Sequence, residues 1–513
     1  MSSRPAVLDP AVFSVAMDLS DADTSGRVAV VDIGSNTVRM VVYDAPARLP
    51  IPVFNEKATC ELAKGLDETG RLNPAGVTEA LRSMRRFHLL SQSMGVEKMA
   101  LVATAAVREA EDGNDFVARI KEIVGEPVSV LSGLEEARLS ALSLLSGRPN
   151  ADGLLADVGG GSVDLIELKK GAFGNSATLP LGHLRLRELA GDNPVKAGAI
   201  VAKKLANIDW LADIQGCSLF LAGGSCRALA RVFIGQLDHP LHVIDGFKVR
   251  RGDTRRLCEL VASLGPASLR RIPGISKSRG ALLPYAAAVV GGLLSACRAK
   301  KTVFSGFGMR EGQLLEMLPK SVRKQDPLLA GCAAMAERTG RFSISGEEIF
   351  DWIAPLFPKA RNAKSRLRMA ACMLSDIGWS EHPDYRAEHA FLRVLRLPFA
   401  GLIHRERAFL AFTMFVRYDG DPENTQVSPI RSMLKNGDAD CARSIGLALR
   451  LAFTLSGAAP GLLPRTKLKV DDGKVLILLP KGETADGDIF ISEGVERRLE
   501  ELASSLGLKG QFG

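Results

Sequence analysis

The apolar and polar positions divide the chain into a mixed first part and a helical second part. Between residues 27 and 318, short apolar runs typical of strands alternate with amphipathic stretches of helical period, which is the pattern of an α/β protein. The spacing predicts a helix over 75–93, a strand over 99–103 and another strand over 218–222. Between residues 325 and 455 the strand pattern is replaced by helical periods with short breaks.

The last segment of the chain is mixed again. The sequence TKLKVDDGKVLILLP (466–480) predicts a β-hairpin with DDG at its turn. A helix is predicted over 493–506, so we expect a small C-terminal α/β unit. Within the helical region, breaks are expected at 343–346 and 418–424.

One pattern occurs twice in the first part, as VAVVDIGSNTVRMVVYD (28–44) and GLLADVGGGSVDLIEL (153–168). Each copy is an apolar strand that delivers an Asp, then a Gly/Ser/Thr turn, then a second apolar strand. Successive amides in such turns form a nest suited to phosphate. Since Asp32 and Asp157 would repel a bare phosphate, a divalent cation is expected between them. The repeat predicts one metal-assisted phosphoryl site in a cleft between two similar halves; the alternative is two ordinary tight hairpins.

An arginine lies between the two hairpins, in the motif TAAVREA (104–110). A strand that leads through Thr104 into a turn would place Arg108 at the phosphate. The planar guanidinium fork binds two oxygens at once. The alternative for Arg108 is an exposed salt bridge.

The next motif, SGLEEAR (132–138), puts Glu135 and Glu136 at the start of a helix. Neighbouring helix residues point about 100° apart, so only one of the two can face a given cleft. A carboxylate there could hold and deprotonate a water in line with a terminal phosphorus. The alternative is that both glutamates only complement the helix dipole.

Composition excludes several classes of protein. A chain of 513 residues with 46% hydrophobic and 24% charged residues is typical of a globular protein of several domains. No apolar run approaches the roughly 18 to 20 residues that span a bilayer. Acidic residues interrupt 1–26, so we expect a disordered tail on a cytoplasmic protein rather than a signal peptide. The 8 cysteines are scattered without a CxxC pair, which indicates neither a disulfide framework nor a zinc site.

The net charge is +8, and much of the surplus lies in two basic clusters. Such clusters attract polyanions, although a solvated helix face is the common alternative. No base-reading motif is present, so nucleic acid is not an expected partner. The first cluster consists of Lys248, Arg250, Arg251, Arg255, Arg256, Arg270, Arg271, Lys277 and Arg279, and the second of Lys359, Arg361, Lys364, Arg366 and Arg368.

The motifs together resemble one enzyme family. VDIGSNTVRMVV, TAAVREA, SGLEEAR, DVGGGSVDL, LPLGHLRL, LAGGSCRALA and FGMREG occur in the order seen in the exopolyphosphatase and guanosine pentaphosphate phosphohydrolase family. That family belongs to the actin, Hsp70 and sugar kinase superfamily. The resemblance covers residues 27 to about 318, and the order of elements downstream is similar to the long form of the family.

The resemblance implies a fold and a division into domains. The fold class is α/β, with two ribonuclease H-like (actin-like ATPase) domains flanking a cleft, then an all-helical HD-like domain and a small C-terminal α/β domain. The expected segments are a disordered tail at 1–26, actin-like domain I at 27–143, actin-like domain II at 144–318, the HD-like domain at 319–445 and the C-terminal domain at 446–513.

The resemblance also implies roles for single residues. Glu136 corresponds to the water-activating glutamate, and Arg310, Glu311 and Gly312 match a closing signature expected to be structural near the cleft. Asp157, Asp164 and Asp32 are the expected metal ligands. The expected phosphate-binding residues are Ser35, Asn36, Thr37, Arg108, Gly159, Gly160, Gly161 and Ser162.

Two positions depart from the family patterns. The second hairpin usually reads DIGGGSTE, whereas here Asp164 stands in the place of the Glu, one methylene shorter. In the helical domain LSDIG (374–378) resembles the LHDIG of HD phosphohydrolases, but Ser375 replaces the metal-binding His. His382, His389 and His404 remain nearby, yet without the His/Asp pair a second metal site is not expected.

The predicted function is that of an exopolyphosphatase, which hydrolyses the terminal phosphoanhydride of inorganic polyphosphate with Mg²⁺. Mn²⁺ is an alternative metal, and a monovalent cation such as K⁺ an additional one. The alternatives are guanosine pentaphosphate 5′-phosphohydrolase with a penta- or tetraphosphate partner, an ATP-binding kinase or ATPase, and a sensor without turnover. The long family form implies a homodimer, and no membrane partner is expected.

Overall fold

We describe the fold from a computed structural model. It describes residues 26–44, 47–49, 51–191, 193–265, 268–269, 271, 280–339, 341, 344–358, 362–435, 437–479 and 490–513. The described chain forms two compact units, one ending at Lys324 and the other beginning at Gln325. Apart from Gly26, the predicted tail at 1–26 lies outside the described residues.

The first half of the first unit is built on a five-stranded sheet of order β3-β2-β1-β4-β5. Strand β1 pairs antiparallel with β2 through a tight turn, and parallel with β4 through a helical crossover. The elements are β1 (Arg27–Ile33), β2 (Thr37–Tyr43), β3 (Pro52–Thr59), α1 (Leu66–Thr69), α2 (Pro74–Ser93), β4 (Val96–Ala103), α3 (Ala105–Glu109), α4 (Gly113–Val124) and β5 (Val128–Val130).

The second half repeats this arrangement in a six-stranded sheet of order β10-β11-β9-β6-β7-β8. Here β6 takes the place of β1, antiparallel to β7 and parallel to β9. The elements are α5 (Gly133–Gly147), β6 (Gly153–Val158), β7 (Val163–Lys169), β8 (Ala172–Leu179), α6 (His183–Ala190), α7 (Pro194–Leu205), a 3₁₀ turn (Asp209–Ala212), β9 (Ser218–Ala222), α8 (Gly224–Gln236), β10 (Lys248–Arg250), α9 (Arg251–Ser263), α10 (Leu283–Ala296), β11 (Lys301–Phe304), α11 (Met309–Met317) and α12 (Lys320–Lys324).

Each half has its own apolar core. In the first half, Met84 and Phe87 of α2 are buried against the sheet. In the second half, the rings of Phe233 and Phe304 meet edge to face with centroids 5.8 Å apart. Buried packing therefore holds the central strands β1 and β6 in place, including the residues that precede their turns.

Helices α5 and α11 pack against each other. Arg138 of α5 forms an ion pair of 2.5 Å with Glu316 of α11. Helix α5 packs against β6 and β7 of the second sheet, whereas Leu314 of α11 packs against Val28 and Val30 of β1 in the first sheet, so this helix pair connects the two halves.

The second unit is helical, with a three-stranded sheet near its end. Strands β12 and β13 form a hairpin, and β14 adds parallel to β13. The elements are α13 (Pro327–Thr339), α14 (Gly346–Trp352), a 3₁₀ turn (Ala354–Leu356), α15 (Asn362–Leu374), a 3₁₀ turn (Pro383–Tyr385), α16 (Arg386–Leu395), α17 (His404–Arg417), α18 (Ser428–Arg431), α19 (Asp438–Ser456), a 3₁₀ turn (Leu463–Arg465), β12 (Lys467–Asp471), β13 (Lys474–Leu478), α20 (Glu493–Ser505) and β14 (Lys509–Phe512).

The predicted α/β class is confirmed, with two similar sheet-based halves, a helical region and a small C-terminal sheet. The strand at 218–222 and the C-terminal hairpin lie where they were predicted. The break at 418–424 separates α17 from α18, while part of 343–346 lies outside the described residues. The predicted boundaries at 143/144 and 445/446 fall inside α5 and α19.

One local prediction was wrong. Arg108 does not follow a turn; it lies on the short helix α3, which begins directly after Thr104. The exposed edge strands β3 and β8 were not predicted, because their sequences alternate without a continuous apolar run. None of the helices in the described part of the chain has both the length and the hydropathy needed to cross a bilayer.

Candidate functional site

The turn of the first hairpin is anchored through its carbonyl groups. The Ser35 carbonyl accepts a hydrogen bond of 3.0 Å from the amide of Ala63, and the Asn36 carbonyl accepts one of 3.0 Å from the amide of Cys60. In a trans peptide the carbonyl and the following N–H point in opposite directions. The Asn36 amide therefore points away from the segment that anchors the turn.

The turn of the second hairpin is anchored in the same way by the start of α6. The same trans geometry turns the amides of Gly160 and Gly161 away from α6. No hydrogen bond between described residues uses these two amides. The bonded carbonyl and amide pairs are Gly159 with His183 (3.2 Å), Gly160 with Leu184 (3.0 Å) and Gly161 with Gly182 (3.2 Å).

The two turns meet across the cleft. A methyl group placed on Gly161 would lie 2.9 Å from the Ser35 hydroxyl oxygen, and one on Gly160 would lie 3.3 Å from Ser35 Cβ. Both Ser35 and Ser162 are buried. The structure thus brings the two predicted phosphate turns together, with glycine where the second turn approaches the first.

Arg108 and Glu136 form a directly bonded ion pair. Arg108 Nη1 donates to Glu136 Oε1 at 2.6 Å and also donates to the Leu131 carbonyl. The two side chains are only 23% and 12% exposed. The predicted arginine and the predicted base are therefore in direct contact.

The neighbouring glutamate has a different task. The Glu135 carboxylate accepts hydrogen bonds of 2.7 Å from the amide and the hydroxyl of Ser132, and the Ser132 hydroxyl caps the Glu135 amide. This is a capping box at the start of α5. The Glu135 carboxylate is occupied by the hydrogen bonds of the helix cap, so Glu136 is the glutamate that faces the cleft.

Glu136 lies in a group of buried carboxyls. The pKa of Glu136 is raised to about 8, first by burial and then by the charge of Asp164, while Arg108 opposes the rise. Burial also raises the pKa of Asp164 to about 7. Ser162 donates to Asp164 Oδ2 at 3.0 Å, whereas Asp164 Oδ1 has no hydrogen-bond partner among the described residues. Because burial and the charge of Asp164 both oppose its ionisation, Glu136 holds its proton more tightly than a free carboxyl does.

Asp157 ends the central strand β6 on the same side of the cleft. The hydroxyl of Ser140, one turn along α5 from Glu136, donates a hydrogen bond to Asp157 Oδ2. Burial raises the pKa of Asp157 and this hydrogen bond opposes the rise. A methyl group on Gly223 would lie 2.8 Å from Asp157 Oδ1, so glycine there keeps the second oxygen accessible.

Asp32 occupies the corresponding place in the first hairpin. It lies opposite Arg39 in the β1–β2 ladder, and its Oδ2 is 3.8 Å from Nε of Arg310. Burial raises the pKa of Asp32, Arg310 opposes this, and Asp157 raises it again. The closing signature thus contributes a buried cation beside the first hairpin.

The carboxylates of the cleft offer oxygen ligands for a divalent cation. The orphaned Oδ1 of Asp164 and the open Oδ1 of Asp157 are carboxylate oxygens of the kind that Mg²⁺ prefers. No set of three or more His, Cys, Asp or Glu side chains in the described part of the chain is arranged as a ready metal site. The arrangement fits an ion held by one or two carboxylates together with water and phosphate, and Asp32 is engaged by Arg310.

Three further residues belong to this site and were not predicted. Ser140 could have been found from its position four residues after Glu136, on the same helix face. Arg227 contributes positive charge to Asp157 and follows the glycines that end β9. The sequence did not indicate a role for Arg39, because a cation in an apolar strand is normally expected to face solvent.

The three described cations of the second basic cluster, Lys364, Arg366 and Arg368, do not form a free basic track. Arg366 forms an ion pair of 2.5 Å with Asp326, and Lys364 one of 3.4 Å with Asp438. Arg368 is buried, with its guanidinium 4.1 Å from the ring centre of Phe350. These cations are neutralised or buried by helix packing, which the sequence run does not show.

The first cluster is more exposed but partly paired. Arg255 and Arg256 are paired with Glu259 (3.9 Å) and Asp253 (3.5 Å) on their own helix. Lys248, Arg250 and Arg271 are exposed. Arg251 donates hydrogen bonds to the carbonyls of Leu294 (3.3 Å) and Ala299 (3.4 Å). The other members of the two clusters, Arg270, Lys277, Arg279, Lys359 and Arg361, lie outside the described residues.

The HD-like motif of the helical unit carries an ion pair. Arg341 binds the Asp376 carboxylate through Nε (3.1 Å) and Nη2 (3.2 Å). Ser375 donates to the Cys372 carbonyl, and His389 lies 2.8 Å from Glu381. A guanidinium thus holds the carboxylate of this motif.

Comparison with known proteins identifies the family. The model of the Ppx/GppA phosphatase family matches residues 41–321, and the model described as "Exopolyphosphatase, C-terminal" matches residues 341–512. Exopolyphosphatase 1 of Mycobacterium bovis is 28% identical over 307 residues, which cover 57% of this chain and 88% of that protein.

Solved structures agree with this at the level of the fold. An exopolyphosphatase from Cytophaga hutchinsonii superposes with a TM-score of 0.52 at 22% identity, over 57% of this chain and 97% of that one. An exopolyphosphatase-like protein gives a TM-score of 0.51 at 22% identity over the same shares. The chain therefore belongs to the Ppx/GppA phosphatase family and is, as predicted, a hydrolase of phosphoanhydrides.

Proposed function

We propose that this protein is a Mg²⁺-dependent exopolyphosphatase, which removes the terminal orthophosphate of inorganic polyphosphate. The observation that carries the proposal is the Arg108–Glu136 pair at 2.6 Å, in the same cleft as two phosphate turns and the buried carboxyls of Asp157 and Asp164. A base and a phosphate-binding cation are thus already in contact before substrate arrives.

The turns would bind the terminal phosphate. The amides of Asn36, Gly160 and Gly161 supply donors without a protein partner, and the hydroxyls of Ser35, Thr37 and Ser162 lie in the same turns. Hydrogen bonds from neighbouring segments hold the carbonyl groups of both turns in place. The amide donors are therefore preorganised and need not reorient during the reaction.

Glu136 would act as the general base. In the proposed step it takes one proton from a water molecule whose oxygen bonds to the terminal phosphorus. The bond from that phosphorus to the bridging oxygen breaks, the electron pair stays on the shortened chain, and orthophosphate is released. Arg108 would bind an oxygen of the same phosphate and hold Glu136 in place.

A bound metal would be held by Asp157 and Asp164, with Ser140 and Ser162 orienting these carboxylates through their hydroxyls. When bound, Mg²⁺ supplies positive charge to the phosphate oxygens and lowers the pKa of nearby carboxyls. Glu136 could then be ionised near neutral pH in spite of its burial.

We favour polyphosphate over other phosphoanhydrides as the proposed substrate for two reasons. The relative in Mycobacterium bovis is named an exopolyphosphatase, and the C-terminal region matches a model of that name. Guanosine pentaphosphate has the same terminal bond, so its hydrolysis is the second candidate and would use the same residues.

A substrate panel tests the proposal. Wild-type protein with Mg²⁺ is given long polyphosphate, short polyphosphate, guanosine pentaphosphate and ATP, and orthophosphate release is measured. We expect the highest kcat/KM for polyphosphate. Release from guanosine pentaphosphate alone would establish the second candidate, while micromolar ATP binding without polyphosphate cleavage would overturn both.

A further inference from the structure

One arginine of the second half binds two carboxylates of the first half. Arg185 Nη2 lies 2.7 Å from Asp67 Oδ1 and 2.5 Å from Glu109 Oε2, and its Nε lies 3.0 Å from Asp67 Oδ2. The Arg185 side chain is only 13% exposed. These charge-assisted hydrogen bonds use the Nε and Nη2 edge of the guanidinium, which binds Asp67 with two bonds. We call Arg185, Asp67 and Glu109 the clasp.

Two members of the clasp lie on elements that hold part of the site. Arg185 is on α6, whose first amides bind the carbonyls of the second phosphate turn. Glu109 is the last residue of α3 and directly follows Arg108. The clasp therefore ties the support of one phosphate turn to the helix that carries the phosphate-binding arginine.

The clasp borders a pocket at the meeting point of the two turns. This pocket has a volume of about 520 Å³, and its lining includes Ser35, Gly160, Glu109 and Arg185. Glu136 is not among its described lining residues. The glycines of the second turn approach Ser35 of the first turn at this pocket. Any movement that separates the two halves here must therefore also break the clasp.

The two halves are also joined by the packing of α5 against α11. A helix joint and a separate ion-pair network are the elements of a hinged closure. With the clasp formed, as in this structure, the two turns are together and Arg108 contacts Glu136.

We propose that Arg185 is a positioning residue, which through Asp67 and Glu109 holds the two halves closed and sets Arg108 for catalysis. The inference rests on the proposed function for its effect on rate, but the closure itself does not. Arg185 touches no reacting atom; it acts through Glu109 and the adjacent Arg108.

Hydrogen exchange and kinetics on the full-length chain test the clasp. The variants are Arg185→Ala and Asp67→Asn, each alone and together. The matched control is Arg82→Ala, which removes an ion pair of 3.7 Å to Glu79 within one helix of the first half. The exchange readout is the amides of residues 182–186, which bind the turn carbonyls and α6.

The clasp predicts that amides 182–186 exchange about tenfold faster in either clasp variant than in wild type or in Arg82→Ala. With polyphosphate, kcat falls about tenfold and KM changes less, since the phosphate turns are intact. The double variant adds little to either single one, because both remove the same link. Arg185→Lys recovers part of kcat, because charge returns without the bidentate fork.

Unchanged exchange and unchanged kcat in both clasp variants would overturn the clasp. If Arg185→Ala does not fold, Asp67→Asn carries the test, since it removes one carboxylate at the surface and leaves Arg185 in place. If wild type releases no orthophosphate from polyphosphate but the exchange difference holds, the proposed function fails and the closure stands.

Discussion

Gly312 of α11 lies directly against the main chain of Leu139 in α5. A methyl group on Gly312 would come within 2.0 Å of the Leu139 carbonyl oxygen. Glu136 and Ser140 flank Leu139 on α5, and Arg310 lies two residues before Gly312 on α11. The glycine of the closing signature therefore sets the distance between the two helices that bring the base and a buried cation into the cleft.

Substitution of this glycine should separate the helices. We expect Gly312→Ala to lower the free energy of unfolding by about 1–3 kcal/mol and to reduce activity, because backbone atoms must move to admit the methyl group. Thermal unfolding and orthophosphate release measure the two effects. Gly198→Ala on α7 is the control, since it meets open space. Equal melting temperatures for the two variants would contradict the contact.

Ser140 should set the affinity for the metal. Ser140→Ala removes the hydroxyl that orients Asp157, so we expect the Mg²⁺ concentration for half-maximal activity to rise about tenfold. Ser143→Ala is a matched control on the same helix, because the Ser143 hydroxyl is buried without a described hydrogen-bond partner. It should leave the Mg²⁺ dependence unchanged. A wild-type metal titration for Ser140→Ala would remove Ser140 from the site.

The buried carboxyl of Glu136 should make stability depend on pH. Burial and Asp164 raise the pKa of Glu136 to about 8, which is above the pKa of a glutamate in the unfolded chain. Between these two pKa values the folded state binds one more proton than the unfolded state does. In that window stability falls as pH rises. The glutamine in Glu136→Gln does not titrate, so in EDTA the stability of this variant relative to wild type should increase by about 3 kcal/mol between pH 5 and pH 8.

Thermal unfolding of both proteins at several pH values measures this difference. The Glu135→Gln variant should show no such increase, because the Glu135 carboxylate is held ionised by its cap and its pKa is lowered. A constant difference between Glu136→Gln and wild type across the range would mean that Glu136 ionises freely and is not buried as described.

The sequence predicted the hairpins because their signal is local. Each Asp, its turn and both strands lie within about 17 consecutive residues. Apolar runs identify such strands even when the strand that pairs with them is not known. The choice between Glu135 and Glu136 was left to the resemblance. It follows in the structure from Ser132, whose capping box engages Glu135.

Contacts between distant segments could not be predicted. The hydrogen bond from Ser140 to Asp157 depends on how α5 packs against the second sheet, and the clasp from Arg185 to Asp67 depends on how the two halves pack together. The same holds for the second basic cluster, where Asp326 neutralises Arg366. A run of charges in sequence does not show which partners the fold supplies.

The most direct test compares two adjacent glutamates in one assay. Orthophosphate release from polyphosphate with Mg²⁺ is measured for wild type, Glu136→Gln and Glu135→Gln. The account predicts a loss of about 10²- to 10⁴-fold in kcat for Glu136→Gln and near wild-type kcat for Glu135→Gln. A Glu136→Gln variant that hydrolyses polyphosphate as fast as wild type would contradict the assignment of the base.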